Sequence, residues 1–390
     1  MAYPPHRPIP FPDPATSGPV IVGMSGGVDS AVSAWLLHRW GYAVQGMFMS
    51  NWEDDTDAYC TTAGDYQDAR RVCEVVGIPL HRVSFAAEYR QRVFEHFLTE
   101  YSAGRTPNPD VLCNREIKFG VCIDYMRRLG GTWIATGHYA RVIHGEPGSR
   151  LLKAVDTAKD QSYFLHGIHR TALSRCLFPV GEMTKAEVRR LAHAEGLPVF
   201  DKPDSTGICF IGERPFAEFL GRYLRQAQGP IETDDGRVIG EHQGLPFYTL
   251  GQRSGLKLGG RAGAAQAPWY VADKDSARNA LIVVQDPDHP RLLSPGFDVT
   301  DLNWLAEAPA GGARCQVKTR YRQRDLPCRV YPDSTQACRV ELEQPARAVT
   351  PGQYAVFYAG EQCLGGGVIA RRYPMRATLK AQALEYNLSI

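Results

Sequence analysis

The sequence predicts an α/β protein: a Rossmann-like domain with a parallel sheet, followed by a small central domain and a C-terminal β-barrel. Between residues 20 and 136, apolar strand-like runs alternate with stretches whose apolar residues recur at helical spacing. This alternation is typical of a parallel sheet covered by helices on both faces. After about Arg214 the chain is rich in Gly and Pro and carries short β-prone runs, which are typical of an antiparallel barrel.

The predicted elements follow in chain order. Strands are expected at Val20–Met24, Ala43–Met49, Leu80–Phe85 and Thr132–Thr136, and helices at Ser30–Trp40, around Tyr66–Val76 and around Tyr89–Tyr101. A short helix is expected at Phe216–Gln226. The later β-prone runs are Leu281–Val284, Arg314–Tyr321, Cys328–Val330, Arg339–Leu342 and Tyr354–Tyr358.

Composition divides the 390-residue chain into five parts. The dense prolines of residues 1–18 predict an extended or disordered tail. We expect the α/β domain at residues 19–214, a central linker domain at 215–283, the barrel at 284–375 and a second tail at 376–390.

Charge and cysteine content disfavour several classes of protein. The 44 Lys and Arg against 42 Asp and Glu leave a net charge of +2, so a nucleic acid would have to meet a local basic patch. No apolar run approaches the roughly 18 residues of a membrane helix, and the N-terminus has no signal-peptide pattern. The ten cysteines form no CxxC pair, which disfavours a disulfide scaffold, a zinc ribbon and an iron–sulfur site. We expect a cytoplasmic protein without a metal site of its own side chains, and with most thiols reduced.

A candidate phosphate-binding loop lies between the first strand and the first helix. The apolar run Val20–Met24 is followed by Ser25, Gly26 and Gly27 and by a helix starting near Ser30. Small residues allow close approach of a ligand to the backbone, and the first N–H groups of a helix attract anions. A Walker A lysine is absent. The alternative is a tight Gly turn without a ligand.

This loop resembles the PP-loop of the ATP-pyrophosphatase superfamily, whose members cleave ATP to AMP and pyrophosphate. More segments, in order from about residue 20 to 373, resemble the bacterial tRNA-specific 2-thiouridylases. The segments that carry this resemblance are Arg105–Asp110, Cys113-Asn114, Ile117–Phe119, Thr136–Tyr139, Lys159–Leu165, Asp204–Gly212, Gly251–Arg253 and Val317–Arg322.

The resemblance implies an enzyme that uses ATP and Mg²⁺ to adenylate the C2 oxygen of the wobble uridine in tRNA. Sulfur from a cysteine persulfide would then replace that oxygen, giving 2-thiouridine, AMP and pyrophosphate. The implied partners are tRNAs for lysine, glutamate and glutamine and a protein that donates or relays persulfide sulfur.

The resemblance also implies roles for individual residues. ATP would be bound by Gly23, Met24, Ser25, Gly26, Gly27, Val28, Asp29, Ser30, Met49 and Gly137. The target base and the tRNA would be contacted by Asn108, Pro109, Asp110, His138, Lys159, Asp160, Gln161, Arg320, Tyr321 and Gln353. Met49 has the alternative of a core residue, and His138 that of a structural histidine.

Two of the cysteines are candidates for the chemistry. Cys113 and Cys209 follow polar segments with Pro or Gly, so we expect both on loops, whereas Cys73 and Cys122 lie on apolar helix faces and are expected in the core. By the resemblance, Cys209 would accept the persulfide and Cys113 would attack or resolve it, leaving a transient Cys113–Cys209 disulfide. Asp110 would be the acid or base; the alternative is a turn-forming Asp.

A basic strand is predicted near the end of the chain. Lys318, Arg320, Arg322 and Arg324 alternate along the sequence, so a β-strand would place all four on one face. The face could meet the phosphates of RNA, or it could be a solvated edge that discourages aggregation. Arg320 and Tyr321 would point to opposite faces of a regular strand, so joint RNA contact requires a twist, a bulge or the end of the strand.

Two other functions are compatible with parts of this pattern. One is a different PP-loop enzyme, such as an amide-forming ligase, although no glutaminase-like segment is present in the sequence. The other is a module that clamps tRNA without catalysis, which would keep its function after substitution of both Cys113 and Cys209.

Overall fold

The computed structural model of the chain describes residues 11–52, 62–204, 216–224, 227–258 and 267–375. They form a parallel five-stranded sheet with helices, a four-stranded sheet and a six-stranded antiparallel barrel. This architecture confirms the predicted fold class.

The strands are β1 (Val20–Met24), β2 (Val44–Ser50), β3 (Leu80–Ser84), β4 (Trp133–Ala135), β5 (Ala140–Ile143), β6 (Arg150–Lys153), β7 (Cys176–Leu177), β8 (Gly229–Thr233), β9 (Val238–His242), β10 (Tyr270–Asp275), β11 (Ala280–Val284), β12 (Leu293–Trp304), β13 (Ala313–Lys318), β14 (Leu326–Pro332), β15 (Cys338–Arg347), β16 (Tyr354–Ala359) and β17 (Gln362–Tyr373). The α-helices are α1 (Val28–Arg39), α2 (Thr62–Val76), α3 (Ala86–Tyr89), α4 (Glu95–Ser102), α5 (Pro109–Leu112), α6 (Cys122–Arg128), α7 (Ser162–Leu165), α8 (Arg170–Leu173), α9 (Lys185–Ala194) and α10 (Phe216–Gly221).

The parallel sheet has the order β3-β2-β1-β4-β7, with β1 at its centre. All five residues of β1 are buried, and successive side chains enter different cores. Val20 and Val22 pack with α1, α2 and α9 on one face, whereas Ile21 packs with the helices between residues 86 and 128 on the other. This alternation follows from the two-residue period of a strand, and it explains why β1 is apolar throughout.

Two long helices on the second face of the parallel sheet contain π-helical turns. The first joins α3 to α4 through Arg90–Phe94, and the second joins α5 to α6 through Cys113–Val121. Both are continuous, because the residues at the junctions keep right-handed helical backbone angles. π-Helical turns are rare and often occur at functional sites.

The barrel is joined to the α/β domain by a hairpin. Its six strands run in the order β12-β15-β14-β13-β16-β17, and pairing of β12 with β17 closes it. Strand β17 also pairs with β6, with Cys363 opposite Leu151, so the hairpin β5–β6 extends the barrel sheet. Tyr354, Val356 and Tyr358 of the barrel then share a hydrophobic core with the helices of the α/β domain. The four-stranded sheet, β10-β11-β8-β9, has its own small core.

Several predictions from the sequence need correction. Helix α1 begins at Val28, two residues before the predicted start, and α10 ends at Gly221. The sequence predicts an extended or disordered tail at residues 1–18, but Phe11 and Ser17 in the described part of that segment contact the α/β domain. Phe11 is buried and its ring meets that of Trp40 edge-on at 5.8 Å between centroids, while Trp133 Nε1 donates to Ser17 O at 3.0 Å.

Candidate functional site

The phosphate loop is held in shape by its two serines. Ser30 Oγ donates to Gly27 O at 3.0 Å and lies 3.1 Å from Ser25 Oγ, and it accepts the N–H of Ser25 at 3.2 Å. Gly26 has a φ of +76°, and a Cβ there would lie 2.4 Å from Asp65 O, so only glycine suits this position. The first N–H groups of α1 have no partner within the helix, which leaves an anion-binding end beside the loop.

Two neighbouring strands complete the surroundings of the loop at the carboxyl edge of the sheet. A Cβ on Gly137, just after β4, would lie 2.6 Å from the backbone N of Ser30, so the β4 end packs directly on the start of α1. A Cβ on Gly23 would lie 3.5 Å from Met49 Cε at the end of β2. The chain order reverses direction between β1 and β4, and such a switch point is where open α/β sheets bind ligands. The structure therefore brings the predicted ATP residues together.

A lysine from a distant helix reaches the loop. Lys185 Nζ lies 2.7 and 2.8 Å from the two carboxylate oxygens of Asp29 and 2.8 Å from Asp204 Oδ1. Asp29 Oδ1 also accepts from Tyr139 OH at 2.8 Å. The loop contains no lysine, but the fold supplies one beside it, and only 13% of that side chain is exposed.

The start of α9 positions this lysine. Thr184 and Glu187 form a capping box, in which Glu187 N–H donates to Thr184 Oγ1 at 3.3 Å and Thr184 N–H donates to Glu187 Oε2 at 2.7 Å. Lys185 is the first residue of the helix, and its N–H donates to Asp156 Oδ2 at 2.9 Å.

The segment before residue 205 is anchored above the loop by several cations. Asp204 accepts from Lys159 Nζ at 2.7 Å and from Arg189 at 2.8 Å, in addition to Lys185. Lys202 Nζ reaches Asp65 and Asp68 of α2 at 2.7 and 2.6 Å. Through its ion pair with Lys185, Asp204 thus links the segment that ends at residue 204 to Asp29 beside the phosphate loop.

The cations determine the charge of Asp204. Burial raises the pKa of this carboxyl, but the hydrogen bonds from Lys159 and Lys185 lower it by more, so the pKa lies well below its usual range. Burial raises the pKa of Tyr139, and the nearby Asp29 carboxylate raises it further, so this phenol stays protonated and acts as a donor.

Cys113 lies in a helix, so the prediction of a loop is wrong. Asn108 caps α5, with its Oδ1 accepting the N–H of Asp110 at 3.1 Å, and Pro109 is the first helical residue. Cys113 continues this helix as the first residue of the π-helical segment and is fully buried.

The helix that carries Cys113 passes beside the carboxyl edge of the parallel sheet. Cys122 Sγ lies 3.0 Å from Met49 Sδ, and the rings of Phe119 and His138 are 5.9 Å apart. Cys73 and Cys122 are buried in the core as predicted, and burial raises the pKa of Cys73 to about 12. Cys209 and its predicted loop lie outside the described residues.

The segment before α5 is held by the barrel. Gln353 Nε2 donates to Thr106 O at 2.7 Å, and Thr106 N–H donates to Pro351 O at 3.1 Å. The predicted RNA residues Asn108, Pro109 and Asp110 therefore follow directly after a junction between the α/β domain and the barrel, which also includes Gln353.

Three predicted RNA contacts have internal partners. His138 is buried with its Nδ1 2.7 Å from Thr136 Oγ1, and burial lowers its pKa well below the usual value, so the ring is neutral. Asp160 is buried and accepts from the N–H groups of Ala154 and Ser162 at 3.1 Å each. Gln161 Oε1 accepts from Tyr139 N–H at 2.9 Å. These contacts favour the structural alternative that the sequence left open for His138.

The predicted basic strand is wrong. Strand β13 ends at Lys318, and residues 319–325 form the turn that leads to β14. Lys318 is largely buried, with Nζ 3.6 Å from Asp160 Oδ2. The four cations therefore do not share one face of a strand. Arg320 and Tyr321, which would point to opposite faces of a regular strand, lie in the turn just beyond the end of β13.

Arg320 and Tyr321 also make internal contacts. Arg320 donates to Leu250 O at 2.6 Å and to Ala348 O at 3.0 Å, which links the barrel turn to the central part of the chain. The ring of Tyr321 packs on Phe164 at 4.4 Å between centroids.

Sequence reasoning missed Lys185, Asp204 and Arg189 as parts of the site. Thr184 and Glu187, spaced as in a capping box, were a local signal for the start of a helix, but that signal does not indicate which loop the helix meets. Among the described residues, no group of three or more His, Cys, Asp or Glu side chains is arranged to hold a metal ion. No helix in the described ranges is both long and apolar enough to cross a membrane.

Comparison with known proteins covers nearly the whole chain. Family models match at residues 18–213 (tRNA methyl transferase HUP domain), 217–285 (tRNA methyl transferase PRC-barrel domain) and 294–369 (aminomethyltransferase beta-barrel domain). The chain is 55% identical over 359 residues to the tRNA-specific 2-thiouridylase MnmA of Sodalis glossinidius, covering 91% of this chain and 97% of that protein. It is 55% identical over 363 residues to the protein of the same name from Escherichia coli O1:K1, covering 92% and 99%. The corresponding protein of Aeromonas hydrophila is 55% identical over 357 residues, covering 91% and 97%.

Proposed function

The chain belongs to the tRNA-specific 2-thiouridylase family, and we propose that it replaces the C2 oxygen of the wobble uridine in tRNA with sulfur. It is a tRNA-modifying sulfurtransferase of the PP-loop type. The family models carry the name of a methyl transferase, but relatives that match nine-tenths of the chain at 55% identity are named 2-thiouridylases.

The observation that carries this proposal is the phosphate loop with its surroundings. Its glycines allow close approach, the first N–H groups of α1 have no partner within the helix, and Gly137 lies against Ser30. The loop has no Walker A lysine, and Lys185 is already paired with Asp29 and Asp204. This arrangement suits a bound pyrophosphate group, so we expect ATP to be cleaved between its α- and β-phosphates.

Mg²⁺ is part of this proposal. The ion commonly takes one or two carboxylates and completes its shell with phosphate oxygens and water. Asp29, whose two carboxylate oxygens also accept from Lys185, would supply one carboxylate beside the loop, and the phosphates of ATP would supply further oxygens. Adenine would meet Met49 at the end of β2, where the thioether is buried beside Gly23.

Sulfur transfer follows adenylation. AMP on the C2 oxygen makes that oxygen a leaving group, and Cys209, carrying a persulfide, delivers the sulfur. Cys113 attacks or resolves the persulfide, with Asp110 three residues away as acid or base, and a transient Cys113–Cys209 disulfide remains. Because Cys113 is fully buried at the start of a π-helical segment, its step requires a local opening of this helix.

The remaining partners are proposed from the family. The substrates are tRNAs for lysine, glutamate and glutamine, and a persulfide-carrying protein supplies the sulfur. Lys159, Arg320, Tyr321 and Gln353 would contact the tRNA while keeping the internal contacts described above. The cytoplasm is the proposed location, in agreement with the eight cysteines of the described residues that form no disulfide.

The first experiment measures products. The protein is first treated with a small-molecule persulfide, which passes its outer sulfur to Cys209 and leaves as a thiol, and is then incubated with a transcript of a lysine tRNA, ATP and Mg²⁺. Nucleosides and nucleotides are separated by liquid chromatography with mass spectrometry. We expect 2-thiouridine, AMP and pyrophosphate in equal amounts. Formation of ADP would point to a phosphoryl-transfer enzyme, and tRNA binding without any nucleotide cleavage would point to a binding module.

The second experiment separates the two steps. Cys209→Ser should still adenylate tRNA but accept no persulfide, and Cys113→Ser should accept persulfide at Cys209 without completing the transfer. Cys73→Ser is the matched control, because this thiol is equally buried but lies on α2 and should cost stability only. Full 2-thiouridine formation by Cys113→Ser would remove this cysteine from the mechanism.

The third experiment tests the loop. Asp29→Ala should reduce tRNA-dependent AMP formation while tRNA affinity in filter binding stays nearly unchanged, because Asp29 lies at the start of α1 beside the phosphate loop and not in the barrel. Loss of tRNA affinity with unchanged AMP formation would show that the loop has a structural role only.

A further inference from the structure

Two cysteines of the barrel lie side by side on neighbouring strands. Cys315 of β13 is directly opposite Cys328 of β14 in the antiparallel register, and their sulfur atoms are 3.5 Å apart. Opposite residues of such a pair have Cα atoms about 4.5–5.5 Å apart, which lies within the range that a disulfide spans. Side-chain rotation that brings the sulfurs about 1.5 Å closer would be enough for a bond. The backbone is therefore already placed for a disulfide.

The two thiols differ in environment. Cys328 is fully buried in the barrel core, whereas Cys315 is partly exposed at the edge of that core. The hydrogen bond from Cys328 lowers the pKa of Cys315, and the same contact raises the pKa of Cys328. Cys315 is therefore the sulfur of the pair that an oxidant can reach, and access is a condition for an attacking cysteine.

A third barrel thiol does not share this register. Cys338 of β15 pairs with Pro332 of β14 and with Val299 of β12, whereas Cys328 pairs with Leu342. Cys338 is buried, and burial raises its pKa to about 12. It therefore serves as an internal control for the reactivity of a barrel cysteine.

We propose that Cys315 and Cys328 form a redox-active dithiol that closes to a reversible cross-strand disulfide when the protein meets a hydroperoxide. The Cys315 thiolate attacks one peroxide oxygen: an S–O bond forms, the O–O bond breaks, and the other oxygen leaves as an alcohol or water after taking a proton. The Cys328 sulfur then attacks Cys315, so that the S–S bond forms, the S–O bond breaks, and the hydroxyl leaves as water with the Cys328 proton. Two thiols lose two electrons and the hydroperoxide gains them. A dithiol reductant reverses the reaction.

The position of this dithiol gives the disulfide a consequence. It lies in the middle of the β13–β14 hairpin, two residue pairs before the turn that follows Lys318 and precedes Leu326. The turn between them carries Arg320 and Tyr321, two of the proposed tRNA contacts. A disulfide would cross-link the two strands of this hairpin and limit their separation. The redox site itself does not depend on the proposed function; only an effect on tRNA does.

The test uses the full chain in its folded state. The protein is treated with hydrogen peroxide, remaining thiols are alkylated, and tryptic peptides are mapped by mass spectrometry. Cleavage would place Cys315 in residues 315–318 and Cys328 in residues 325–329. We expect these two peptides to be linked after peroxide and separate after dithiothreitol, with a loss of about 2 Da for the linked pair.

Variants and hydrogen exchange complete the design. Cys315→Ser and Cys328→Ala should each abolish the link, whereas Cys338→Ser should retain it, and circular dichroism confirms that each variant is folded. In the wild type, amides between the two cysteines should exchange about tenfold more slowly after oxidation.

The proposal is overturned if folded wild-type protein gives no 315–328 link. A link from Cys328 to Cys338, a link between two chains, or oxidation of Cys315 to a sulfinic acid beside a free Cys328 would overturn it as well. None of these readouts requires tRNA or ATP, so failure of the proposed enzyme function would leave the result intact.

Discussion

Replacing Lys185 with methionine should destabilise the protein, because Asp29 and Asp204 would then repel each other without a cation between them. Its Nζ lies 2.7 Å from Asp29 Oδ1 and 2.8 Å from Asp204 Oδ1, so the two carboxylate oxygens are at most about 5.5 Å apart. Lys185→Met keeps most of the side-chain volume and removes the charge. The phosphate loop and the segment before residue 205 then carry neighbouring anions without their shared cation.

The size of the effect follows from distance and exposure. Two unit charges about 5.5 Å apart repel by about 3 kcal/mol at an effective dielectric constant of 20 and by less than about 1 kcal/mol in water. Asp29 and Asp204 are 31% and 33% exposed, so solvent screens part of this repulsion. Asp204 also keeps Arg189 and Lys159. We therefore expect Lys185→Met to lower the free energy of unfolding by about 1–3 kcal/mol at pH 7.

The effect should depend on pH in a defined direction. The pKa of Asp204 in the folded protein lies below its unfolded value of about 3.9, so its interactions contribute stability above that pH, and this contribution is lost as the pH falls through the folded pKa. Without Lys185 the pKa of Asp204 moves back up, and the carboxyl takes up a proton more readily. The difference between wild type and variant should therefore shrink from pH 7 towards pH 3.

Urea unfolding followed by circular dichroism at several pH values measures these differences. Arg190→Met is the matched control, because this residue lies on the same helix and is exposed. The double variant Lys185→Met/Asp204→Asn should recover part of the loss, since the second change removes one of the repelling charges. Equal effects of Lys185→Met and Arg190→Met, a difference that grows in acid, or strict additivity of the two changes would refute the reasoning.

Two further predictions concern the turn between β13 and β14 and the residues just after β4, beside the phosphate loop. Arg320→Ala should destabilise the protein by about 2–4 kcal/mol in urea unfolding, because it removes hydrogen bonds to Leu250 O, Ala348 O and Thr350 Oγ1, of which Ala348 O alone keeps a second donor, the Thr350 hydroxyl. Because its guanidinium is bonded to protein oxygens, we expect Arg320 to contact the tRNA without neutralising a phosphate, so Arg320→Ala should leave the salt dependence of tRNA filter binding almost unchanged. Arg322→Ala, at an exposed position, should reduce the log–log slope by about 0.7–0.9, and the reverse pattern would assign the phosphate contact to Arg320. Gly137→Ala should weaken ATP binding in calorimetry at least about tenfold, because its Cβ would lie 2.6 Å from a backbone nitrogen of α1, whereas Gly145→Ala, with open space around it, should not change it; equal affinities would contradict the close packing.

Most of the proposed nucleotide site was predictable from local patterns in the sequence. The apolar run of β1, the small residues after it and the helix that follows are neighbours in the chain, so their geometry depends on short-range backbone preferences. The alternation of strands and helices predicted the parallel sheet for the same reason. Met49 and Gly137 were placed by resemblance, and the parallel sheet explains their proximity, since the carboxyl ends of its strands share an edge.

Cys113 shows how a local signal can be misread. Two prolines around Asn108 indicated a stiff loop, but proline is also favoured at the first position of a helix, where its missing N–H costs nothing. Asn108 provides the cap, and the chain continues as a helix through Cys113. The same residues fit both interpretations, and the burial of the following side chains decides between them.

The predicted basic strand in the barrel shows again that a local pattern can fit more than one structure. Alternating cations fit a strand face, but the ladder ends at Lys318, and Thr319 N–H donates to Gln323 Oε1 within the turn at 2.8 Å. The carbonyl groups that accept from Arg320 belong to residues 250 and 348, which no local pattern connects with it.

The sequence by itself determined the alternation of strands and helices from β1 to β4, the phosphate loop and the two thiols of Cys73 and Cys122 buried in helices, because each depends on residues a few positions apart. Only the tertiary structure decided that Lys185 pairs with Asp29 across 156 positions, that the hairpin β5–β6 joins the barrel, and that Cys315 lies beside Cys328. These contacts depend on how whole elements pack and in which register strands pair. A single sequence records neither, since many pairings satisfy the same pattern of apolar and charged residues.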